Sequence, residues 1–490
     1  MFKMRSRLGK KRGAAVTLNI SPPQAINRLF EASPPIGTSL GSVWDTFFKL
    51  VKPLKSLFIL DVSLVLIATI LNSFLPFIAG NLIDSLANDL SQQDFNFTGT
   101  SLHILALYLG FVGISRILYR INALVVVYFE PAFTALARAR LTDHTLKRSV
   151  TFLNNKFAGR LVHSVNEITR ASYTIIEHLR WSLIEPLVTA LILIGTAVTV
   201  HPYFSALLAI WLMLYIGGIV AMTYGLRQDI EHVAQKKGEG SAAITDSVTN
   251  YLTVKMFASR SSEITHLNTF LSEESAAGKR FLMKVFFIKA YQGILELCLF
   301  AGSAWIIWSL WQQQDISVGQ IALILSSATM IADYLWSFSG QIISFSQDVG
   351  SMGESIEQLE EFKSTEPLHQ GDDEEFLPEK GEIIFNKLSF SYNKESTLFK
   401  DLVLKINAGE RIGVVGRSGS GKSTLVKLLL RFYDVNDNEI IIDHQNMTKL
   451  DPQSVRRNIA VIPQDADLFN RSVLENIRYG RPNATDADVY

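Results

Sequence analysis

The sequence predicts a membrane α-helical bundle, made of six transmembrane helices with cytoplasmic extensions, followed by a partial α/β domain. Six long apolar segments occupy the first part of the chain, and basic residues gather in every second loop between them. After the sixth segment the chain becomes polar, and a glycine-rich turn follows an apolar run. With 490 residues, the chain is long enough for about two to four domains.

Composition favours a membrane protein and excludes several other classes. Charged residues are only 19% of the chain and Phe occurs 30 times, whereas soluble chains carry about 25% charged residues. The 46 basic residues balance the 46 acidic ones, so we expect no nucleic acid among the partners. The single cysteine, Cys298, leaves no internal disulfide and no multi-cysteine metal site.

Each apolar segment is long enough to cross a hydrocarbon core of about 30 Å as a helix. The segments are Leu57–Ala79, Leu102–Tyr128, Leu183–Val200, Tyr203–Tyr224, Val285–Leu310 and Val318–Phe338. We therefore assign residues 45–352 to a six-helix transmembrane domain. Residues 1–44 are predicted to form a basic cytoplasmic tail, which is either disordered or in contact with anionic lipid headgroups.

The distribution of basic residues predicts the orientation of the bundle. Lys and Arg number ten in residues 1–55, eight in residues 129–181 and eight in residues 226–284, and the other three loops contain none. Cytoplasmic loops carry the excess of Lys and Arg. We thus expect an integral multi-pass protein of the lipid bilayer, in a cytoplasmic (inner) membrane, with both termini cytoplasmic. A sequon for N-glycosylation, Asn96-Phe-Thr98, lies in an outer loop. A sequon this short also arises by chance.

The two long inner loops are predicted to be helical extensions of the membrane helices. Thr134–Arg148 and Ser261–Lys279 contain few Gly or Pro, and long loops without structure are uncommon. Residues 353–380 are acidic and polar, and we interpret them as a linker. Beyond it, Glu382–Phe385, Leu402–Ile406 and Ile412–Val415 have the pattern of strands, and Lys422–Tyr433 has helical spacing.

A glycine-rich motif in this last region carries the chemistry. Gly416-Arg-Ser-Gly-Ser-Gly-Lys-Ser423 fits the pattern G-x-x-x-x-G-K-[ST]. It lies between a predicted strand and a predicted helix, as a partial α/β P-loop NTPase domain requires. Backbone N–H groups of such a loop and the N-terminus of the following helix bind phosphate oxygens. Candidate nucleotide-binding residues are Gly416, Ser418, Gly419, Ser420, Gly421, Lys422, Ser423 and Thr424.

Residues 381–486 resemble the first part of the nucleotide-binding domain of exporter-type ATP-binding cassette (ABC) transporters, and the six apolar segments resemble their membrane domain. The resemblance implies ATP and Mg²⁺ as cofactors, with Tyr392 stacking on adenine. It implies that Ser423 and Gln464 contact Mg²⁺, Gln464 also sensing the attacking water. It also implies coupling helices near Phe152–Gly159, with Leu161, and near Thr253–Lys255, with Phe257, that dock on nucleotide-binding domains.

The sequence departs from this family pattern in two places. Asn438 and His444 stand where the family usually has Gly, and both residue types tolerate a left-handed backbone, so we expect the turn to form. The family signature, the Walker B carboxylates and the switch histidine are not among the 26 residues that follow Gln464. Residues 381–490 are therefore expected to be the N-terminal part of the domain. Ile440–Asp443 superficially resembles Walker B, but it precedes Gln464.

Charged residues inside the predicted spans include Arg116, Arg120, Lys289, Glu296 and Asp333. Charges at mid-membrane cost about 2.5–3.5 kcal/mol each on insertion scales, so we expect them to face the bundle interior or a water-filled cavity. Two hypotheses remain open. The charges line a substrate cavity in which Arg116 and Arg120 recognise an amphipathic substrate, or they pair internally and snorkel near the helix ends.

These features together lead to one functional hypothesis and three alternatives. The resemblance implies ATP-driven export of an amphipathic or hydrophobic substrate (lipid, drug or peptide) by a half-transporter that works as a dimer with a second half-transporter subunit. The alternatives are a truncated, non-hydrolysing membrane subunit, an importer of a metal chelator, and a membrane-tethered P-loop kinase. Whether this chain is itself an ATPase stays open at the sequence level, because no catalytic base is identified in it.

Overall fold

The computed structural model describes residues 40–91, 99–148, 152, 158–336, 338–360, 374–392, 397–462 and 468–490. The chain divides into two compact units, one spanning Met1–Leu146 and Gly159–Glu361 and the other Lys147–Ala158 and Phe362–Tyr490. Residues 1–39 of the predicted tail, and the sequon at Asn96, lie outside the described residues.

The helical unit contains six spans that are long and apolar enough to cross a membrane, as predicted. Its α-helices, in chain order, are α1 Val43–Val51, α2 Lys55–Ser73, α3 Leu75–Ser91, α4 Gly99–Leu146, α5 Ala158–Glu177, α6 Glu185–Ala197, α7 Pro202–Tyr224, α8 Arg227–Thr249, α9 Tyr251–Met256, α10 Arg260–Gln312, α11 Val318–Trp336 and α12 Phe338–Glu360. A π-helical segment, His178–Ile184, joins α5 to α6.

The membrane helices continue well beyond the apolar segments, as expected from the inner loops. Helix α4 extends without a break to Leu146, although it contains Pro131, and α10 begins at Arg260. A buried apolar core joins α6, α7, α10 and α11, with Leu193, Trp211 and Leu299 among its members. The first span is interrupted at Phe74. Pro76 follows two residues later and lacks the backbone N–H that a continuous helix would use as a donor.

Two helices extend past predicted domain boundaries. Helix α1 begins at Val43, inside the predicted tail, and Leu40 is buried with its backbone N–H donating to Glu360. Helix α12 continues to Glu360, eight residues into the predicted linker 353–380. The acidic composition hid an apolar stripe of helical spacing, since Met352, Ile356 and Leu359 are all buried.

Helices α3 and α11 cross at two glycines. A Cβ atom on Gly319 would lie 2.0 Å from the carbonyl oxygen of Gly80 and 2.5 Å from Cγ of Asp84. Asp84 also accepts hydrogen bonds from the backbone N–H of Gly319 and from Ser317. The crossing therefore requires a residue without a side chain at position 319.

We expect Gly319→Leu to destabilise the helical unit by about 1–3 kcal/mol or more. The leucine side chain does not fit between α3 and α11, and moving the helices apart would lose their packing. Thermal unfolding in detergent measures the loss. Gly293→Leu on α10 is the control, since nothing lies within 4 Å of a Cβ there. Equal unfolding temperatures for the two variants would contradict the close crossing.

The second unit contains a four-stranded sheet of order β2-β1-β3-β4. Its elements are β1 Ile383–Phe390, β2 Phe399–Ile406, α13 Lys422–Leu429, β3 Ile440–Ile442, β4 Gln445–Asn446, α14 Pro452–Arg457, α15 Val473–Arg478 and α16 Asp486–Val489. All the pairings are antiparallel, and β1 lies between β2 and β3. Phe385, Leu388, Leu428 and Ile440 form the buried core, so α13 packs with the strands.

Two of the three predicted strands are present, and the third prediction was wrong. Ile412–Val415 forms no ladder with any described residue, and Val415 is 93% exposed. The run has the composition of a strand buried on both faces of a sheet. A strand also needs a neighbour for its backbone hydrogen bonds, and the described residues supply none here.

Candidate functional site

The glycine-rich loop between Ile412 and α13 has the backbone that a phosphate cradle needs. Gly419 and Gly421 have φ of +82° and +93°, a region in which other residues are strained. A Cβ on Gly416 would lie 2.6 Å from Oγ of Ser420, and one on Gly421 would lie 2.6 Å from the ring of Phe399. Gly421 is also the N-cap of α13. The loop and the positive end of the helix thus face the same space.

Lys422 is the first residue of α13, and its side chain folds back over the loop. Its Nζ donates to the carbonyl oxygens of Gly416 and Arg417, at 2.9 and 2.8 Å. These carbonyls hold the ammonium group beside the cradle, from which it can exchange to phosphate oxygens. The chemistry of the donor set therefore fits a nucleotide: backbone N–H groups, a helix N-terminus and one movable cation.

The remaining loop residues have different surroundings. Ser418, Ser420 and Ser423 are exposed, so their hydroxyls are open to a ligand, and Thr424 is buried. Ser423 is the hydroxyl that would contact Mg²⁺ in a P-loop. Gln464, the second predicted Mg²⁺ contact, lies outside the described residues.

Tyr392 lies next to the loop, as the prediction of adenine stacking requires. Its hydroxyl is 2.9 Å from Oγ1 of Thr424 on α13. Phe390 and Tyr433 pack edge-to-face with it, with ring centroids at 5.1 and 5.2 Å. The side chain is half exposed, so the ring is held at its hydroxyl and still accessible to a base.

Asn438 and His444 adopt left-handed backbone, with φ of +62° and +65°, so the expected turn forms. The neighbouring Asp443 has a structural role that the sequence comparison with Walker B did not predict. Its two carboxylate oxygens accept hydrogen bonds from the backbone N–H groups of four consecutive residues, Glu379 to Glu382, at 2.8 to 3.1 Å. Asp443 therefore fixes the chain that enters β1.

We expect Asp443→Ala to destabilise the second unit by about 1–3 kcal/mol, because the four donors lose their acceptor. Burial would raise the pKa of Asp443, but the backbone hydrogen bonds outweigh burial and hold the pKa below its usual value. The stabilisation is therefore present at neutral pH and is lost as pH falls through the lowered pKa. Calorimetry at pH 7 and at acidic pH measures both effects, with Asp486→Ala as control. A variant that unfolds like the parent at pH 7 would contradict this role.

The predicted coupling regions are only partly described. Thr253, Val254 and Lys255 lie in α9, a six-residue helix between α8 and α10, and Phe257 follows it with its side chain exposed. In the first region, Phe152 and Leu161 are buried, whereas residues 153–157 lie outside the described residues.

The five predicted membrane charges are accessible and unpaired. Arg116, Arg120, Lys289 and Asp333 are exposed and Glu296 is half-buried. None of the five forms an ion pair with another described residue. Internal pairing, the second hypothesis for these residues, is therefore absent in the described part of the chain.

A buried ion pair joins the first and third spans, and sequence analysis missed it. Nη1 of Arg180 lies 2.7 and 2.8 Å from the two carboxylate oxygens of Asp61, and Asn122 donates to the same carboxylate at 2.7 Å. All three residues are buried. Arg180 was counted among the basic residues of an inner loop, but Asp61 lies inside an apolar segment and could have been recognised there.

Sequence analysis also missed a polar cluster around Glu185. One carboxylate oxygen, Oε1, accepts hydrogen bonds from the hydroxyls of Tyr119 and Tyr334, at 2.8 and 3.2 Å, and Asn72 donates to Tyr334 at 3.1 Å. The four residues come from α2, α4, α6 and α11. A glutamate inside the predicted span Leu183–Val200 was the available signal.

The fold and the loop define a class of protein, in which six membrane-spanning helices are followed by a domain with a glycine-rich loop of the P-loop pattern. The chain matches the family model "ABC transporter transmembrane region" over residues 58–334 and the model "ABC transporter" over residues 399–490. The chain belongs to the ABC transporter family, and it has the organisation of an exporter half-transporter.

Individual relatives and a solved structure are consistent with this assignment. An uncharacterized ABC transporter ATP-binding protein of Haemophilus influenzae is 29% identical over 72% of this chain and 57% of its own length. The mitochondrial iron-sulfur clusters transporter ATM1 of Gibberella zeae is 26% identical over 88% of this chain and 62% of its own length. The structure of a bacterial Atm1-family ABC exporter with ATP bound has the same fold, with a TM-score of 0.71 at 20% identity over 87% of this chain and 75% of that one. The chain thus spans about three fifths of the length of these curated relatives.

Proposed function

We propose that this chain is a half-transporter subunit of a dimer that uses ATP to export an amphipathic or hydrophobic substrate. The observation that carries the proposal is the P-loop, with Lys422 held at the cradle, in the same chain as six membrane spans. When bound, ATP with Mg²⁺ supplies the free energy of hydrolysis. Lys422 and the loop N–H groups would hold the phosphates, Ser423 and Gln464 would contact the metal, and Tyr392 would orient the base.

An uncovered apolar surface supports a second copy as the partner. Helix α8 and the first part of α10 pack on each other. They carry exposed apolar side chains outside the predicted spans, namely Ile244, Val248, Leu282 and Met283. A groove of about 910 Å³ lies along the same helices. Exposed apolar patches of this kind mark protein interfaces. A second subunit would cover them and bring α9, as a coupling helix, to a nucleotide-binding domain.

The unpaired membrane charges support a polar substrate path. An exposed guanidinium facing lipid is costly, so Arg116 and Arg120 are better accommodated in a water-filled cavity. There they would recognise an anionic group on an amphipathic molecule. The chemical class of the substrate, an amphipathic or hydrophobic molecule, is proposed together with the transport activity. The Gibberella relative is named as a transporter of iron-sulfur clusters. A cargo of that kind would have to bring its own ligands here, since no group of three His, Cys, Asp or Glu in the described ranges is placed to hold a metal.

The mass and ATPase activity of the native gene product test the proposal against its alternatives. We expect a dimer of subunits larger than 54.7 kDa whose ATPase activity in lipid depends on Lys422. A 54.7 kDa product without turnover would favour the non-hydrolysing subunit. Transfer of phosphate to an acceptor other than water would favour the kinase, and ATP-dependent uptake toward the cytoplasmic side would favour the importer.

A further inference from the structure

The carboxylate of Glu185 lies inside the membrane bundle, and it forms no ion pair with a described residue. It is only 8% exposed, and its interactions are with Tyr119 and Tyr334, with no charged partner among the described residues. This differs from Asp61, whose charge is matched by Arg180 at 2.7 Å. A buried carboxylate without a counter-ion is unfavourable unless something positive or a proton occupies the site.

The hydrogen bonds around Glu185 leave one oxygen available. Both phenol hydroxyls donate to Oε1, so each phenol has used its only proton there. The hydroxyl of Tyr334 also accepts from Asn72, which fixes its orientation. Oε2 receives no hydrogen bond from a described residue. The cluster therefore presents an oriented carboxylate with a free acceptor.

Aromatic rings and accessibility complete the site. The ring of Tyr119 stacks on Trp181, with centroids 6.0 Å apart and planes 26° from parallel. The Arg180 guanidinium already lies over Trp181, 5.2 Å from the ring centroid, so Tyr119 and Tyr334 supply the aromatic groups of the site. Asn72, Tyr119 and Tyr334 are half-buried, so the cluster can be reached from outside the helices. Aromatic faces beside a carboxylate attract organic cations. The π-helical segment that ends at Ile184 shifts the register of the helix just before Glu185, and such segments are frequent at functional sites.

We propose that Glu185, with Tyr119 and Tyr334, is a binding subsite for the cationic group of an amphipathic organic substrate. This inference rests on the proposed export function, because it names the charge of one part of the cargo. Arg116 lies on the same helix as Tyr119, three positions earlier. Arg116 disfavours a cation at long range, so the direct contact with Glu185 decides the charge that is bound.

Equilibrium binding of two ions of equal shape and opposite charge tests the proposal. Tetraphenylphosphonium and tetraphenylborate are titrated, without ATP, into the native protein in nanodiscs, with empty nanodiscs subtracted. We expect Glu185→Gln to weaken phosphonium binding at least about tenfold and to change borate binding less than about twofold. Glu130→Gln is the matched control, since Glu130 also accepts a tyrosine hydroxyl, from Tyr173 at 2.9 Å, but is exposed.

Each remaining outcome overturns the subsite. Unchanged phosphonium binding in Glu185→Gln would mean that the carboxyl holds its own proton, and equal losses for both ions would mean a purely structural role. If Glu185→Gln does not fold, the titration of the unaltered protein tests the subsite. Phosphonium binding that is no stronger than in empty nanodiscs would then reject the proposal. Because ATP is absent, this result is independent of hydrolysis, so a failure of the proposed export function is detected separately.

Discussion

Lys422→Ala is expected to weaken ATP binding about 10- to 100-fold, because a charge-assisted hydrogen bond to phosphate contributes about 1.5–3 kcal/mol. The ammonium group is held at the cradle by two carbonyl oxygens, so it is already positioned before the nucleotide arrives. Fluorescence titration with a labelled ATP analogue measures the change. The left-handed backbone of the loop is set by Gly419 and Gly421.

The matched control for this variant is Lys427→Ala. Lys427 is the next lysine on α13, and its side chain forms no hydrogen bond with a described residue. We expect its loss to leave ATP affinity within about twofold. An equal effect of the two substitutions would show that general positive charge, rather than the position of Lys422, accounts for binding.

Asp61→Ala is expected to destabilise the helical unit by about 3–5 kcal/mol, because it leaves the buried Arg180 guanidinium without its close, buried counter-ion. Nε of Arg180 lacks a partner in the described chain. Glu177 compensates little for the lost carboxylate, because it lies 3.9 Å from the guanidinium and its side chain is 46% exposed. Unfolding in detergent with increasing denaturant measures the change. The double variant Asp61→Leu, Arg180→Met should recover most of the loss, since it removes both charges.

An exposed pair provides the comparison for Asp61. Asp229 pairs with Lys284 on the surface of the extended helices, and Asp229→Ala is expected to cost only about 0–1 kcal/mol. If the Asp61 and Asp229 variants were equally stable, the pair with Arg180 would not hold the first and third spans together.

The six spans could be predicted from sequence because length and apolarity alone decide whether a helix crosses a membrane. The P-loop could be predicted because its glycines are required locally, at positions 416, 419 and 421. Ile412–Val415 was wrong as a strand because strand formation depends on a neighbour that local composition does not reveal.

The polar membrane sites could not be predicted as pairs, because their partners are far apart in the chain. Asp61 and Arg180 are separated by 119 positions, and Glu185 and Tyr334 by 149. Asp61 and Glu185 were visible as charges in apolar segments, but only the packing of the helices brings them to Arg180, Tyr119 and Tyr334. Asp443 is similar, since its acceptor role depends on residues 61 to 64 positions earlier.

ATP-dependent flux tests the central claim most directly. The native protein is reconstituted in vesicles with its nucleotide-binding side outward, and the accumulation of lipophilic ions of either charge inside the vesicles is followed after ATP is added. We predict accumulation of at least one of the ions with ATP, and none with Lys422→Ala. Vesicles that hydrolyse ATP but accumulate no ion, or that release a preloaded one, would contradict export.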